Sequence, residues 1–405
     1  MKLSPLTFSL VCSVLYLSRP IQASEPGPIR GSNLLPNVRY KIAVLEFENP
    51  GAKLGLELSE VLNREIIGSM RGVRSLGVLT LRQEAEHVDL NVSTVSQIAH
   101  RQAALIVVWG EFYENGRNVY LHTHLQIVPD DKIAKSPLAL SLQTDKGEIK
   151  AAPPSLLINF APIELNTSSL KAIQESHSKS AAIHSDHSES APEIGRLQTQ
   201  DGYDVDNVEG PWMQIRTRQG QAGWVHYGTL EEQKELIELQ AVVSFAQSVL
   251  QYLAGSFGIA ESTMSDYLDR WGEKQDKANL ALAHVLRGNA RFQAGRSGPA
   301  SEDYLEAAAL LPHDAAPANY LAIARLSEYE WAQEYRPEMH DLETRLIRAV
   351  QSQNNVETLD NLRVFYKCAA ESKFLQRQGM NIQLYSDAIS KQLALVENIA
   401  SKLKQ

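Results

Sequence analysis

Four short strand-like segments follow one another between residues 193 and 230, and turns rich in Gly separate them. The segments read GRLQT, YDVDNV, WMQIRT and AGWVHY. Strands of this length, broken so often by Gly and Pro, are typical of a small β-barrel. A barrel of this size has little interior, so the sequence predicts a core built from a few apolar side chains: Ile194, Leu197, Val205, Val208, Met213, Ile215 and Val225.

The second half of this region carries a family pattern. Residues 212–216 read as a WxxVR strand, Gly220 lies at a turn, and residues 223–226 read GWVH. In these features the region resembles the bacterial Src-homology-3 (SH3) family, which implies an SH3-like barrel. The family's first strand is not recognisable before Ile194, so we expect it either far upstream, at about residues 157–170, or in a degenerate form.

Four aromatic residues of this region are candidate binding residues: Trp212, Trp224, Tyr203 and Tyr227. The resemblance implies that Trp212 borders a shallow groove for peptides or cell-wall glycopeptide, which requires a partly exposed ring. The alternative is that each tryptophan caps the small core. The sequence favours the capping role for Trp224 and leaves both roles open for Trp212.

The first 23 residues have the pattern of a secretory signal peptide. Lys2 is followed by the apolar run PLTFSLVCSVLYL and by a small-residue cleavage site after Ala23. The run is too short and too interrupted to span a bilayer securely. The sequence therefore predicts bacterial export and a periplasmic or secreted mature chain that starts at Ser24 and has no transmembrane segment. The alternative is an uncleaved amino-terminal anchor.

Strand and helix patterns alternate between residues 38 and 150. Apolar runs at 40–47 and 75–81 predict two strands, and an amphipathic helix separates them. A short helix then precedes two strands that are joined at Asn115-Gly116, a strong hairpin signal. The order β-α-β-α-β-β predicts a small α/β sheet covered by helices.

Three segments of this region follow a second family pattern. They read IAVLEF, VLTLRQEAE and AALIVVWGEFYENGRNVYLHTHL. They resemble the amino-terminal domain of the TolB protein and related CsgG-like envelope modules. The resemblance implies a fold and a role in envelope assemblies, not a chemical reaction.

Residues 151–192 interrupt this alternation. Their second half is rich in Ser, His and Ala and has no apolar period, which predicts a flexible linker. His177, His184 and His187, with Asp186, are residue types that bind zinc or copper. We favour a solvated linker without a metal, because a disordered site must supply ordering energy before it binds one.

The chain from residue 231 to residue 405 has helical periodicity. A capping box at Thr229 and Glu232 starts the first predicted helix, which Gly255 ends. Further helices are predicted at 261–273, 276–295, 299–311, 314–333, 337–352, 355–377 and 380–404.

One helix pair resembles a tetratricopeptide repeat, on six positions: Gly288, Gly295, Ala300, Tyr304, Ala307 and Pro312. The resemblance implies an array of stacked helix pairs. Such an array leaves a concave face that takes a peptide or a helix from a partner. The alternative is a helical bundle with a chance match.

The sequence offers little for catalysis. It contains neither G-x-S-x-G nor H-E-x-x-H, and Cys368 lies in an apolar-periodic helix as a predicted core residue. His122 and His124 share one face of a predicted strand and form a possible metal set with His87 or His100. We favour exposed positions on a half-buried sheet for these histidines.

These patterns together predict a multidomain protein: a small α/β sandwich, then an SH3-like barrel, then an all-α helical-repeat domain. The formal net charge of −9 argues against nucleic acid as a partner. We expect a non-catalytic envelope scaffold or adaptor, without a cofactor, that binds an envelope protein or a peptidoglycan peptide. The alternative is an accessory or regulatory subunit of a cell-wall hydrolase, or a hydrolase with an unrecognised active site.

Overall fold

The chain contains a β-rich region with open sheets followed by an all-helical region, which agrees with the predicted succession of α/β and α regions. Among the described strands, no pairing closes a sheet into the predicted barrel. The computed structural model describes, besides a few isolated positions, residues 38–48, 54–70, 76–82, 88–115, 118–130, 136–166, 180–198, 203–209, 211–217, 220–226, 239–328, 337–353 and 356–370. The predicted signal peptide, Glu232 of the predicted capping box, and most of the helix predicted at 380–404 lie outside the described residues. The hydroxyl of Thr229 donates a hydrogen bond to the carbonyl of His226 at 2.7 Å.

The first region is an α/β sheet. Its elements are β1 (Gly27–Pro28), β2 (Tyr40–Leu45), α1 (Leu54–Ser69), β3 (Leu76–Arg82), α2 (Val92–Gln102), β4 (Ile106–Asn115), β5 (Asn118–Ile127), β6 (Leu140–Thr144), β7 (Gly147–Ala151), β8 (Leu157–Asn159) and β9 (Ile163–Leu165). The sheet has the order β1-β3-β2-β4-β5-β8, and β9 also pairs with β5. Strands β6 and β7 are not part of it and form a separate antiparallel hairpin. The order from β2 to β5 confirms the predicted β-α-β-α-β-β succession.

Strand β2 is the centre of this region, because every one of its residues is buried. Ile42 and Val44 pack in the cluster that includes α1, whereas Ala43 and Leu45 pack in the cluster on the α2 side. Two covered faces explain why the strand is a continuous apolar run. The exception is Lys41, whose ammonium donates a hydrogen bond to the carbonyl of Gln102 at the end of α2.

A second, five-stranded sheet follows. Its strands are β10 (Ser180–His184), β11 (Glu193–Gln198), β12 (Tyr203–Glu209), β13 (Trp212–Thr217) and β14 (Ala222–His226). They pair antiparallel in the order β11-β10-β14-β13-β12. Strands β11 to β14 coincide with the four segments that the sequence predicts.

Strand β10 corrects the sequence prediction. It lies inside the Ser/His-rich stretch that was expected to be a linker, and it takes a central place between β11 and β14. Ala181 and Ile183 are buried and supply core that the sequence did not assign. Among the predicted core residues, Ile194 is instead 45% exposed.

The second half of the chain is an array of helices. They are α3 (Gln240–Leu253), α4 (Phe257–Trp271), α5 (Lys277–Gln293), α6 (Ser297–Leu310), α7 (Ala315–Ser327), α8 (Pro337–Gln353) and α9 (Val356–Ala370). Each helix contacts the next one in sequence. None of the described helices has the length and hydrophobicity that crossing a membrane requires.

The first two helix pairs have the same turn. Gly255 follows α3 with φ +80° and Gly295 follows α5 with φ +76°, a left-handed conformation that favours Gly. In each turn the Gly amide donates to the carbonyl three residues earlier, that of Tyr252 or Phe292. The helix pair α3–α4 therefore repeats the connection of the pair α5–α6, and Ala260 stands five residues after its Gly as Ala300 does, although the other pattern residues are missing.

Buried hydrogen bonds join the helices to the α/β region. Asn289 on α5 and Tyr320 on α7 both donate to the carbonyl of Leu138, at 2.7 and 2.6 Å. On α3, Gln247 donates to the carbonyl of Ser69 at the end of α1 at 2.8 Å. Asn289 and Tyr320 are buried and Gln247 is half-buried. The helices and the α/β region therefore share a core.

Candidate functional site

The five-stranded sheet brings the predicted binding tryptophans to one of its faces. Trp212 on β13 is directly opposite His226 on β14, and Trp224 on β14 is directly opposite His184 on β10. Opposite residues of antiparallel strands project to the same side of a sheet. We call the surface formed by Trp212, Trp224, His184, His187 and His226 the Trp/His face.

The other side of the same strands is the core of this sheet. Met213, Ile215 and Val225 are fully buried there. Gly223 also faces this side, and a Cβ atom at its position would lie 2.4 Å from Cγ2 of Ile183. The Gly of the GWVH segment is therefore needed for the close approach of β10.

Trp212 lies between two histidines. Its ring meets those of His184 and His226 edge to face, with centroid distances of 5.3 and 5.0 Å. Only 6% of its surface is exposed, so the open ring that a groove role requires is absent in this conformation. Trp224 is 9% exposed, so the rings of both tryptophans are largely buried.

The loop between β10 and β11 forms the rim of the Trp/His face. The ring of His187 lies 5.2 Å from that of Trp224, and its Nδ1 lies 2.7 Å from a carboxylate oxygen of Asp186. Its Nε2 lies 3.6 Å from Glu209 at the end of β12. His187, Asp186 and Glu209 are about half exposed or more, so the accessible part of this site is an imidazole between two carboxylates.

The loop is fixed at its base. His184 Nδ1 lies 2.9 Å from the carbonyl oxygen of Ala191, and the amide of Ser185 donates to the carbonyl of Pro192. These contacts set the direction in which the loop crosses the sheet. The sequence gives no signal for these contacts of His184, because the partners of a histidine in a Ser-rich segment follow only from the strand register.

The side chains of the two predicted binding tyrosines lie outside the described part of the chain. Tyr203 begins β12 opposite Thr217, but its side chain lies outside the described residues. Tyr227 lies outside them as well.

The possible metal sets lie only partly within the described residues. His87 and His177 lie outside the described residues, and His100 is an exposed residue of α2. Within the part of the chain that the structure describes, no group of three or more His, Cys, Asp or Glu side chains is arranged to hold a metal ion. Cys368 is buried in the core of the last helices, as predicted.

A groove, separate from the Trp/His face, lies between the β6–β7 hairpin and α9. It encloses about 520 Å³, and its lining includes Lys150, Glu357, Asp360, Arg363 and Lys367. Burial raises the pKa of Glu357, which also accepts a backbone hydrogen bond from Ala152 and faces Lys150. The groove thus combines charges of both signs that interact with one another.

Several helices of the array are in contact with the first region of the chain. Helices α7 and α9 contact β7, α7 also contacts β6, and α3 contacts α1. Leu140, Ile149 and Ala151 of the hairpin are buried in the same core cluster as these helices. The apolar side chains of the hairpin therefore cover part of the surface of α7 and α9.

The comparisons with known proteins give no further assignment: the chain matches no protein-family profile and no curated protein sequence.

Proposed function

We propose that this chain is an exported, non-catalytic adaptor of a bacterial cell envelope, and that the Trp/His face binds a peptide from a protein or from peptidoglycan. In this proposal the five-stranded sheet is an SH3-like module and the helical array is of the tetratricopeptide type. The observation that carries it is the arrangement of His187 over Trp224 between Asp186 and Glu209.

The chemistry of the rim favours a particular ligand. The exposed imidazole of His187 offers flat contact area, and the exposed carboxylates of Asp186 and Glu209 attract an ammonium group. Peptide amino groups and lysine-like side chains have both the charge and the apolar stem that such a site accepts. The proposal therefore specifies a peptide with at least one free ammonium group.

The repeated turn supports the helical part of the proposal. Gly255 and Gly295 end the first helix of two successive pairs in the same way. Ala260 and Ala300 are fully buried near the start of the second helix of each pair, where small residues allow two helices to approach closely. Because the β6–β7 hairpin contacts α7 and α9, the proposal assigns partner binding to the Trp/His face rather than to those helices.

A cross-linked pull-down of the full chain from its own envelope, with purified cell wall as a parallel bait, tests this proposal. His187→Ala removes an exposed ring and should reduce capture of the partner while the melting temperature stays the same. Glu306→Gln, an exposed change on α6, should leave capture unchanged. Equal capture by the parent chain and His187→Ala would reject the Trp/His face as the binding site.

Trp212→Ala serves as the structural control. Its ring is buried between His184 and His226, so truncation should destabilise the sheet by roughly 3–5 kcal/mol. Loss of capture in Trp212→Ala therefore reports unfolding, whereas loss in His187→Ala reports contact with the ligand.

A further inference from the structure

One face of the β4–β5 hairpin carries a row of aromatic and charged side chains. The register of the two strands sets three pairs directly opposite each other: Trp109 and His124, Glu111 and His122, and Tyr113 and Tyr120. These six residues, which we call the aromatic ladder, alternate with the residues that are buried against α1. The ladder lies on the first sheet and is separate from the Trp/His face.

The rings of the ladder are in contact along its length. Trp109 and His124 have centroids 4.2 Å apart, and His122 and His124 have centroids 4.3 Å apart. Tyr113 and Tyr120 stack with centroids 5.3 Å apart and an angle of 15° between their planes. The hairpin therefore presents a nearly continuous strip of π-surface.

Helix α2 covers the base of this sheet face but leaves the ladder open. Gln126, the next residue on that face of β5, donates to the carbonyl of Val92 and to the hydroxyl of Ser96 at the start of α2. The helix begins at this point and does not extend over the rest of the ladder, where Tyr113 is 38% exposed. Val92 itself is 47% exposed and extends the apolar surface beside the ladder.

Carboxylates surround the open rings. The backbone of Glu48 forms an isolated parallel β-bridge with that of Glu111, and Glu164 on β9 is directly opposite Tyr120. The side chain of Glu111 is 54% exposed, and Glu164 is exposed as well. At the ladder positions of these described strands the formally charged side chains are all acidic.

The imidazole of His124 adds little positive charge. Burial lowers the pKa of His124 from its ordinary value, and the opposing contribution of its hydrogen bond to Asn159 is smaller. The surface thus combines aromatic faces with negative charge. Arginine side chains suit such a surface, because the guanidinium stacks on aromatic rings and pairs with carboxylates.

We propose that the aromatic ladder is a docking surface for a basic, arginine-containing segment of a partner protein. The charge complementarity of Glu48, Glu111 and Glu164 specifies the sign of the partner, and the stacked tyrosines specify planar cations over compact ones. This surface is additional to the peptide site of the proposed function and does not depend on it.

Fluorescence anisotropy of the full chain tests the proposal, with a fluorescein-labelled peptide of alternating arginine and serine as the probe. The parent chain should bind this peptide and should not bind the matched peptide of alternating glutamate and serine. Tyr113→Ser leaves the net charge unchanged and should weaken binding about three-fold. Glu111→Gln should weaken binding by a similar factor of about three.

Two control variants separate this site from general attraction to an acidic protein. Glu306→Gln removes the same charge from exposed helix α6 and should bind the arginine peptide like the parent chain. His187→Ala should also bind it like the parent, which separates the ladder from the Trp/His face. The proposal is overturned if the parent chain does not bind, if Tyr113→Ser and Glu111→Gln both bind like the parent, or if Glu306→Gln loses as much affinity as Glu111→Gln.

Discussion

The side-chain amide of Asn361 on α9 bonds to both backbone groups of Lys150 on β7. The Lys150 amide donates to Asn361 Oδ1 at 2.9 Å, and Asn361 Nδ2 donates to the Lys150 carbonyl at 2.6 Å. Asn279 on α5 makes the same pair of bonds with the backbone of Asn159 at the end of β8. In each case the side-chain amide of one helix residue makes the hydrogen bonds that a neighbouring strand would make. It satisfies backbone groups at a sheet edge that would otherwise be unpaired against the helices.

Asn361→Ala should destabilise the chain by about 1–3 kcal/mol, because it leaves the part-buried backbone amide and carbonyl of Lys150 without these partners. Chemical denaturation measures the effect, and hydrogen exchange of the Lys150 amide should accelerate. Gln351→Ala, an exposed change on α8, is the control and should have no such effect. An unchanged stability in Asn361→Ala would show that the amide does not hold the hairpin.

Gly288→Ala tests the close crossing of α5 and α6. A Cβ atom at Gly288 would lie 2.5 Å from Cε1 of the fully buried Tyr304, so the added methyl group should cost about 1–3 kcal/mol. The same substitution at Gly258 in α4 meets no atom within 4 Å and should stabilise the chain by up to about 1 kcal/mol. Thermal melts of the two variants should shift in opposite directions, and shifts of the same sign would contradict this packing.

Lys41 makes stability depend on pH in the alkaline range. Burial lowers the pKa of its ammonium from 10.5 to about 8, although the charge of Asp130 acts in the opposite direction. Between these values the unfolded chain binds a proton that the folded chain lacks. The contribution of Lys41 to stability therefore rises with pH, by about 2 kcal/mol between pH 8 and pH 10.

Lys41→Met should remove that rise. Denaturant titrations of the parent chain and the variant at both ends of this pH range isolate the contribution of Lys41, because the other titrating groups are common to both. A parent chain and a variant with parallel pH profiles would show that the ammonium is not desolvated in the folded state.

Periodicity predicted most of the elements, since it reports which side of a segment is buried. Leu121 and Leu125 alternate with His122 and His124, and that pattern predicts both the strand and its buried face. The two histidines on the other face are partly buried rather than exposed. The helix bounds followed in the same way from apolar spacing and from the turns at Gly255 and Gly295. These signals are local, so a single segment contains them.

The features that the sequence did not predict depend on distant partners. Strand β10 has only Ala181 and Ile183 as buried apolar residues, and its place in the sheet follows from the space that Gly223 leaves for it. The enclosure of Trp212 depends on His184, which the sequence placed in a linker. Asn361 and Lys150 are 211 positions apart, and neither residue carries a pattern that indicates the other.

Isothermal titration calorimetry of the full chain with a purified peptidoglycan stem peptide that carries a free ammonium group tests the central claim most directly. The account predicts saturable binding by the parent chain and by Glu306→Gln. It predicts at least a several-fold weaker affinity in Glu209→Gln, because that change removes a carboxylate beside His187 without reducing the aromatic surface. Binding of equal strength in the parent chain and in Glu209→Gln would contradict the assignment of the Trp/His face as the site.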